Sequence, residues 1–264
     1  MTLTSLKEFR FNYHLTGAVL PERAQISFGH PTDHPFLLSG PKGDATVNVC
    51  VVFNQVAVWV KSQFEWDIFD LRNEVSTILR HQLAIAGFLL GYAYNLEITR
   101  VTTANGAIDH VYGIDIPCLV KKMEGKFSPE AFTELIVKAS GPKGFILHRC
   151  FTDLTLAMQH AVDTAFYCYR AIESLRQHWG AMNDVREKLA QWEGFRNFLG
   201  IGKDLIDPVR IAAEGVRHGQ LVPITDQERL ELFTRTWDLV EAYLNKVPDP
   251  CLTEPADVSS LMRA

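Results

Sequence analysis

Two arginines, a glutamate and a histidine lie close together near the end of one predicted helix. The helix Pro208–Gly219 carries Arg210, Glu214 and Arg217 at spacings of four and three, which place them on one face, and His218 follows directly. A histidine changes charge near neutral pH, and an arginine is a permanent cation that binds phosphate or carboxylate groups. The pattern predicts either an anion-binding or acid–base site, or a structural ion network.

A longer helix that precedes this cluster is predicted to supply its partners. Residues Asp153 to Trp179 have the periodicity of one continuous helix with an inward apolar stripe. Arg170 and Glu173 lie on the opposite face, and they are the partners expected if the downstream cluster is an ion network. This face also carries large apolar side chains, so we expect it to contact the N-terminal half, a second subunit or a ligand. The apolar stripe consists of Ala157, Ala161, Thr164, Cys168, Ala171, Leu175 and His178.

Two short sequence strings resemble a known family of helical domains. Tyr169-Arg170-Ala171-Ile172-Glu173 in a long first helix, followed by Arg217-His218-Gly219 at the end of a later helix, is similar to the HEPN superfamily. Such domains are common in prokaryotic toxin–antitoxin and phage-defence proteins, and the resemblance covers about the last hundred residues. The ribonucleases of that superfamily carry an arginine about four to six residues from a histidine near a helix end, in a cleft at a dimer interface.

His218 matches the histidine of the HEPN motif, but the arginine is not in place. Ile211, Ala212 and Ala213 occupy the positions where it would stand, while Arg210 is one residue too far and Arg217 is adjacent to His218. The resemblance therefore implies a non-catalytic or accessory binding protein, linked to prokaryotic defence or stress, that needs no cofactor.

Two alternatives remain open at this point. The first is a metal-independent ribonuclease in which His218 acts as acid or base and Arg217 or Arg210 stabilises the phosphate. The second is a small-ligand sensor that uses an apolar pocket in the N-terminal domain. The mixed face of the long helix also predicts a homodimer.

The composition limits the partners. The chain of 264 residues has a formal net charge of -5, which argues against a protein that coats nucleic acid through bulk electrostatics. RNA is therefore not indicated by charge, although a local basic groove is compatible with it. The five cysteines are far apart and form no Cys-x-x-Cys pair, which predicts free thiols in the cytoplasm. The longest apolar stretch, Leu83–Leu90, is far below the ~20 residues that span a bilayer, so no membrane partner is expected.

The order of elements predicts an α+β protein with two domains. Residues 1–145 are expected to form an antiparallel sheet covered on one side by a long helix that starts at Asp67 and stops at Gly91. Residues 150–248 are expected to form a four-helix bundle, and residues 249–264 a tail. The predicted strands are Leu6–Leu20, Thr46–Phe53, Val56–Lys61, Leu96–Thr103 and Ile108–Ile116, and a further helix is Pro129–Lys138.

Two further motifs contain residue types that could bind a metal ion or a phosphate. His30-Pro31-Thr32-Asp33-His34 has residue types that bind metal ions, with His14 or His110 as additional ligands, but the same residues are typical of a polar loop. Ser-Gly-Pro-Lys-Gly occurs at residues 39–43 and 140–144, where it predicts turns rather than phosphate cradles. We therefore expect no metal and no cofactor.

Overall fold

The computed structural model describes residues 9–29, 35–40, 43–220 and 222–248, which form two compact units that divide between Ile114 and Asp115. The sequence placed the boundary too late, between Gly144 and Thr152. Lys122 and Lys126 lie in the intervening stretch, and their ammonium groups pair with carboxylates of the last helix of the second unit. Tertiary ion pairs therefore assign this stretch to the helical unit.

The first unit contains one antiparallel sheet of seven strands. The strands follow the order β2-β4-β5-β1-β6-β7, and β3 pairs with β4 beside β2. Every pair is antiparallel, which confirms the predicted sheet. The strands are β1 Phe11–Leu20, β2 Phe28–Gly29, β3 Phe36–Gly40, β4 Gly43–Val52, β5 Gln55–Ser62, β6 Asn95–Thr103 and β7 Asp109–Val111.

Side chains alternate between a buried and a wet face of this sheet, as the valine spacing predicts. Val56, Val58 and Val60 of β5 are buried, whereas Trp59 between them is 44% exposed. The turn between β4 and β5 differs by one residue from the prediction, because Phe53 and Asn54 adopt positive φ angles of 45° and 69°. Asparagine tolerates this conformation better than most residues.

A single long helix, α1 (Ile68–Leu90), covers the buried face. The Asp67 carboxylate accepts hydrogen bonds from the backbone N–H groups of Phe69 and Asp70, and Gly91 ends the helix at φ +71°. Leu71, Val75, Leu79 and Leu83 face the sheet and are buried. Both helix ends lie where the capping residues predict, and the α+β fold class is confirmed.

The second unit is helical, and α5 is its centre. Helices α4, α6, α7 and α8 all pack against α5. Within residues 150–248 the structure has α5 to α8 and the C-terminal part of α4, so the first of the four predicted helices corresponds to two helices. The described helices are α2 Pro117–Met123, α3 Pro129–Lys138, α4 Gly141–Gln159, α5 Thr164–Met182, α6 Lys188–Leu199, α7 Asp207–Arg217 and α8 Asp226–Lys246.

The continuous helix predicted from Asp153 to Trp179 is wrong. α4 ends at Gln159 and α5 begins at Thr164, with His160 in an extended conformation between them. The predicted stripe is nevertheless buried at six of its seven positions, and Ala161 in the break is half-buried. Apolar periodicity therefore predicted which residues are buried but not whether the backbone is continuous.

A buried arginine from α8 explains the break. The Arg229 side chain is 2% exposed, and its Nε donates to the Thr164 hydroxyl at 3.0 Å. Its Nη2 donates to the Met158 carbonyl at 3.2 Å, near the end of α4. The Thr164 hydroxyl in turn donates to the Ala157 carbonyl at 3.1 Å. Groups distant in sequence thus satisfy carbonyls that a continuous helix would satisfy itself.

Other helix boundaries correct smaller predictions. Glu187 caps α6 through the N–H groups of Leu189 and Ala190, whereas Asn183 and Asp184 precede that cap. The second Ser-Gly-Pro-Lys-Gly copy begins α4 instead of forming a separate turn. In the first copy, Gly40 pairs with Gly43 across β3 and β4, and residues 41–42 lie outside the described residues. Thr225 and Glu228 form a capping box at the start of α8.

A buried histidine in this core makes the stability of the helical unit depend on pH. His178 is 2% exposed, and its Nδ1 lies 2.6 Å from the Tyr243 hydroxyl oxygen. Burial, with a smaller contribution from the charge of Lys143, lowers the pKa of His178 from 6.5 to about 4. The folded chain therefore holds a neutral imidazole at pH values where the unfolded chain is protonated.

Stability is expected to be complete above pH 6.5 and to be lost as the pH falls towards 4. The lowered pKa corresponds to a loss of about 3 kcal/mol in the free energy of unfolding over this interval. Urea unfolding at pH 7, 6 and 5 measures it. His178→Asn cannot titrate, so its midpoint should fall less with pH than that of the unmodified protein. Parallel pH dependence in the two proteins would contradict the assignment to His178.

Candidate functional site

An open groove of about 470 Å³ lies between α5, α6 and α7 of the helical unit. Its walls come from the middle of α5, one face of α6, the short turn after α6 and the start of α7. Both aromatic and charged side chains line it. They are Tyr169, Leu189, Trp192, Glu193, Arg196, Lys203, Ile206, Asp207 and Arg210.

Two aromatic rings form the floor of the groove. The rings of Tyr169 and Trp192 are nearly parallel, with an angle of 13° between their planes and 6.3 Å between their centroids. Phe195 supports Trp192 from the core through an edge-to-face contact at 6.1 Å. Tyr169 is 5% exposed and Trp192 is half-buried, so the indole supplies most of the accessible aromatic surface.

Arginine and lysine side chains surround this aromatic pair. The guanidinium of Arg217 lies 5.6 Å from the centroid of the Tyr169 ring, and that of Arg176 lies 5.2 Å from the Trp192 ring. Arg196 and Lys203 line the groove itself. Within the described ranges, none of these four cations forms an ion pair with a carboxylate within 4.0 Å. Of the cations that line the groove, Arg196 and Lys203 thus form no ion pair with a described carboxylate, while Glu193 and Asp207 line the same groove and Asp207 pairs with Arg210.

The electrostatics of Tyr169 show which charges meet at the floor. Burial raises the pKa of the Tyr169 hydroxyl, and the nearby charge of Glu173 raises it further. The positive charges of Arg217, Arg210 and Arg176 act in the opposite direction. Because the pKa is raised, the phenol is neutral at physiological pH and can donate a hydrogen bond.

The two halves of the chain match two parts of one protein family. Residues 13–112 match the family described as "Domain of unknown function (DUF8168) N-terminal domain", and residues 132–247 match the "Domain of unknown function (DUF8168) C-terminal domain". The chain belongs to the DUF8168 family.

Curated relatives of this DUF8168 protein match over a limited region. The Aspartate--tRNA(Asp/Asn) ligase of Helicobacter pylori strain G27 is 32% identical over 116 residues, which is 42% of this chain and 18% of that enzyme. The same ligase from strain ATCC 700392 / 26695 is 34% identical over 99 residues, or 36% of this chain and 16% of the enzyme. The chain thus spans less than a fifth of the relatives' length. No solved structure matches.

Three of the predicted site residues of the DUF8168 protein meet at Tyr169. Glu173, Arg210 and Arg217 all lie close enough to influence its hydroxyl. The predicted ion network between the two helices is not present in the described part of the chain. Instead, Arg210 pairs within its own helix, with Asp207 at 3.0 Å and Glu214 at 3.8 Å.

Arg170 and His218 do not join that group. The Nη2 atom of Arg170 lies 3.0 Å from the Asp153 carboxylate, and the guanidinium is close to the rings of Phe166 and Tyr167. His218 is exposed at the end of α7, where its backbone N–H donates to the Gly215 carbonyl. No hydrogen bond, ion pair or ring contact connects its imidazole to another described residue.

Sequence reasoning missed the residues that α6 and the following turn contribute. Leu189 and Trp192 both fit the apolar spacing of a core stripe, but Leu189 is 76% exposed and Trp192 lines the groove. Trp192 and Arg196 are four residues apart, which places an aromatic ring and a cation on the same helix face. This spacing could have indicated the groove residues of α6 from the sequence. No sequence pattern indicated Lys203.

The other sequence features, namely the candidate metal motif, the cysteines and the longest apolar stretch, are not part of the described lining of this groove. Among the described residues, no group of three His, Cys, Asp or Glu side chains can hold a metal ion, and His30–His34 fall outside that set. His14 and His110 instead make ring contacts with Trp59 and Tyr112. The four described cysteines form no disulfide. In the described ranges no helix is long and apolar enough to cross a membrane.

Proposed function

We propose that this DUF8168 protein is a non-catalytic binding protein and that the groove between α5, α6 and α7 binds a nucleotide moiety. A nucleotide is an aromatic base joined through a ribose to a phosphate, and it exists either free or as part of RNA. The observation that carries the proposal is the Tyr169–Trp192 floor with Arg196 and Lys203 beside it, two cations that form no ion pair among the described residues, and with Arg217 over the Tyr169 ring.

Each part of a nucleotide has a counterpart in the groove. Stacking of a base on an aromatic side chain contributes about 1–3 kcal/mol and tolerates any base. Arginine and lysine bind phosphate oxygens through charge-assisted hydrogen bonds. The volume of about 470 Å³ lies in the range of roughly 300–1,000 Å³ that is typical of small-molecule sites. A purely apolar ligand would leave the cations without partners.

The ribonuclease alternative receives less support from the geometry. General acid–base catalysis requires a second group within hydrogen-bond reach of the reacting atoms. His218 is exposed and adjacent to Arg217, but Arg217 points its guanidinium at Tyr169. The proposed role is therefore that of an accessory, non-catalytic protein with a HEPN-like helical domain, linked to defence or stress.

We also propose that the protein forms a homodimer and acts in the reducing cytoplasm. The mixed face of α5 supports a dimer, and Tyr169 of that face packs on Trp192 of the same unit. Phe166 and Arg170 lie on the same face and are half-buried. Light scattering at micromolar concentration tests self-association, and a monomer would remove it from the proposal.

Calorimetric titration tests the proposed ligand. Separate titrations with adenosine, AMP, inorganic phosphate and a short single-stranded RNA distinguish the contribution of the base from that of the phosphate. AMP is expected to bind at least about tenfold more tightly than adenosine or phosphate alone, because only AMP uses both the floor and the cations. A much tighter interaction with RNA than with AMP would identify RNA as the source of the nucleotide. Equal affinities for AMP and inorganic phosphate would contradict the proposal.

His218→Ala is the matched control for this titration. His218 is exposed and does not line the groove, so its replacement should change the AMP affinity by less than about twofold. Cleavage of the RNA by the unmodified protein, abolished by His218→Ala with the fold intact, would instead establish the ribonuclease alternative.

A further inference from the structure

We infer that Glu193 makes the groove selective for guanine nucleotides. This inference rests on the proposed function, because it assigns the base that the same groove accepts. Glu193 lines the groove and directly follows Trp192 on α6. It is therefore a carboxylate beside the aromatic surface on which a base would stack.

Glu193 differs from the second carboxylate in the groove. Asp207 accepts a hydrogen bond from Nε of Arg210 at 3.0 Å. Within the described ranges, the Glu193 side chain takes part in no ion pair and no hydrogen bond, and Glu193 is exposed. One carboxylate is thus occupied by the protein, and the other remains available to a ligand.

A carboxylate without a partner is unfavourable in a site that binds an anion. It repels the phosphate and weakens binding unless it accepts hydrogen bonds from another part of the ligand. The bases differ in this respect. Guanine presents two adjacent donors on one edge, N1–H and the exocyclic amino group, which match the two oxygens of a carboxylate as a guanidinium does.

The other bases match this carboxylate less well. Adenine places a ring-nitrogen acceptor beside its amino donor, and uracil and cytosine place carbonyl or ring-nitrogen acceptors beside theirs, so one carboxylate oxygen would face an acceptor. Glu193 belongs to α6, whereas Lys203 follows that helix and Arg210 lies on α7. A ligand with its base edge at Glu193 can therefore extend its phosphate towards cations that other elements contribute to the groove.

Titrations with GMP, IMP and AMP test the inference. IMP retains the N1–H donor but lacks the amino group, so the expected order of affinity is GMP, then IMP, then AMP, with GMP about tenfold tighter than AMP. Glu193→Gln is expected to remove this preference, because an amide offers one acceptor and places a donor against guanine. AMP should bind Glu193→Gln as well as or better than the unmodified protein, since the repulsion of its phosphate is gone.

Glu124→Gln is the matched control, because Glu124 is also exposed and the substitution removes the same charge away from the groove. It should retain the preference for GMP. Equal binding of GMP and AMP by the unmodified protein, or a GMP preference that survives Glu193→Gln, would overturn this inference and leave the proposed function standing. Absence of binding by all three nucleotides would overturn both.

Discussion

Replacing Arg229 by methionine is expected to lower the free energy of unfolding by about 3 kcal/mol. Methionine fills much of the volume of the arginine but donates no hydrogen bond. The Met158 carbonyl, which accepts from Nη2 of Arg229 at 3.2 Å, would lose that partner. The Thr164 hydroxyl would lose the 3.0 Å bond from Nε. Both groups lie at the break between α4 and α5, which a hydrophobic residue cannot stabilise.

The expected cost is large because Arg229 and Thr164 are buried and Met158 is half-buried. A buried acceptor that loses its partner costs about 1–3 kcal/mol, and the replacement of a buried cation by an apolar residue recovers part of that through reduced desolvation. Arg235 lies on the same helix α8 but is exposed, so Arg235→Met should change the stability by less than about 0.5 kcal/mol. The two substitutions have the same chemistry and differ only in environment.

Urea unfolding followed by circular dichroism compares the two variants. A midpoint for Arg229→Met that equals that of Arg235→Met would show that Arg229 does not stabilise the break. Hydrogen exchange locates the effect, because amides around Thr164 should exchange faster in Arg229→Met than in the unmodified protein.

The second large effect is expected in ligand binding. Reversing two charges in Arg196→Glu/Lys203→Glu should weaken the binding of AMP by at least about 100-fold. Both side chains line the groove without a carboxylate partner among the described residues. Their replacement turns two attractive contacts with phosphate into two repulsive ones, beside Glu193 and Asp207.

A matched double variant separates this local effect from overall charge. Lys121 and Arg235 are exposed and lie outside the groove, and Lys121→Glu/Arg235→Glu changes the net charge by the same amount. At physiological salt, charges beyond about 8 Å are largely screened, so this variant should bind AMP within about threefold of the unmodified protein. Equal losses in both double variants would show that net charge, and not the groove, controls binding.

Much of the N-terminal unit could be predicted because its signals are local. The Asp67 carboxylate caps α1 through neighbouring N–H groups, and Gly91 ends the helix in the left-handed region. Alternation in β5 placed Val58 in the core and Trp59 on the wet face. Each of these features depends on residues within a few positions of one another, so a single sequence is sufficient to indicate them.

The candidate site was only partly predictable. The spacing of Arg210, Glu214 and Arg217 identified the correct face of α7, and both arginines influence Tyr169. No pattern in the sequence placed α6 beside that face. Trp192 satisfies the apolar periodicity of a core residue whether or not a groove lies next to it, and the exposure of Leu189 was equally hidden.

The sequence by itself determined the secondary-structure types, the buried stripes and most helix caps of this protein, since these follow from backbone preferences and from the periodicity of apolar side chains. Only the tertiary structure decided where the long central helix breaks and which charges meet. Arg229 is 65 residues from the Thr164 hydroxyl to which it donates, and Arg217 lies on another helix than the ring it covers. Contacts of this kind depend on how helices pack, and no local signal in the chain encodes them.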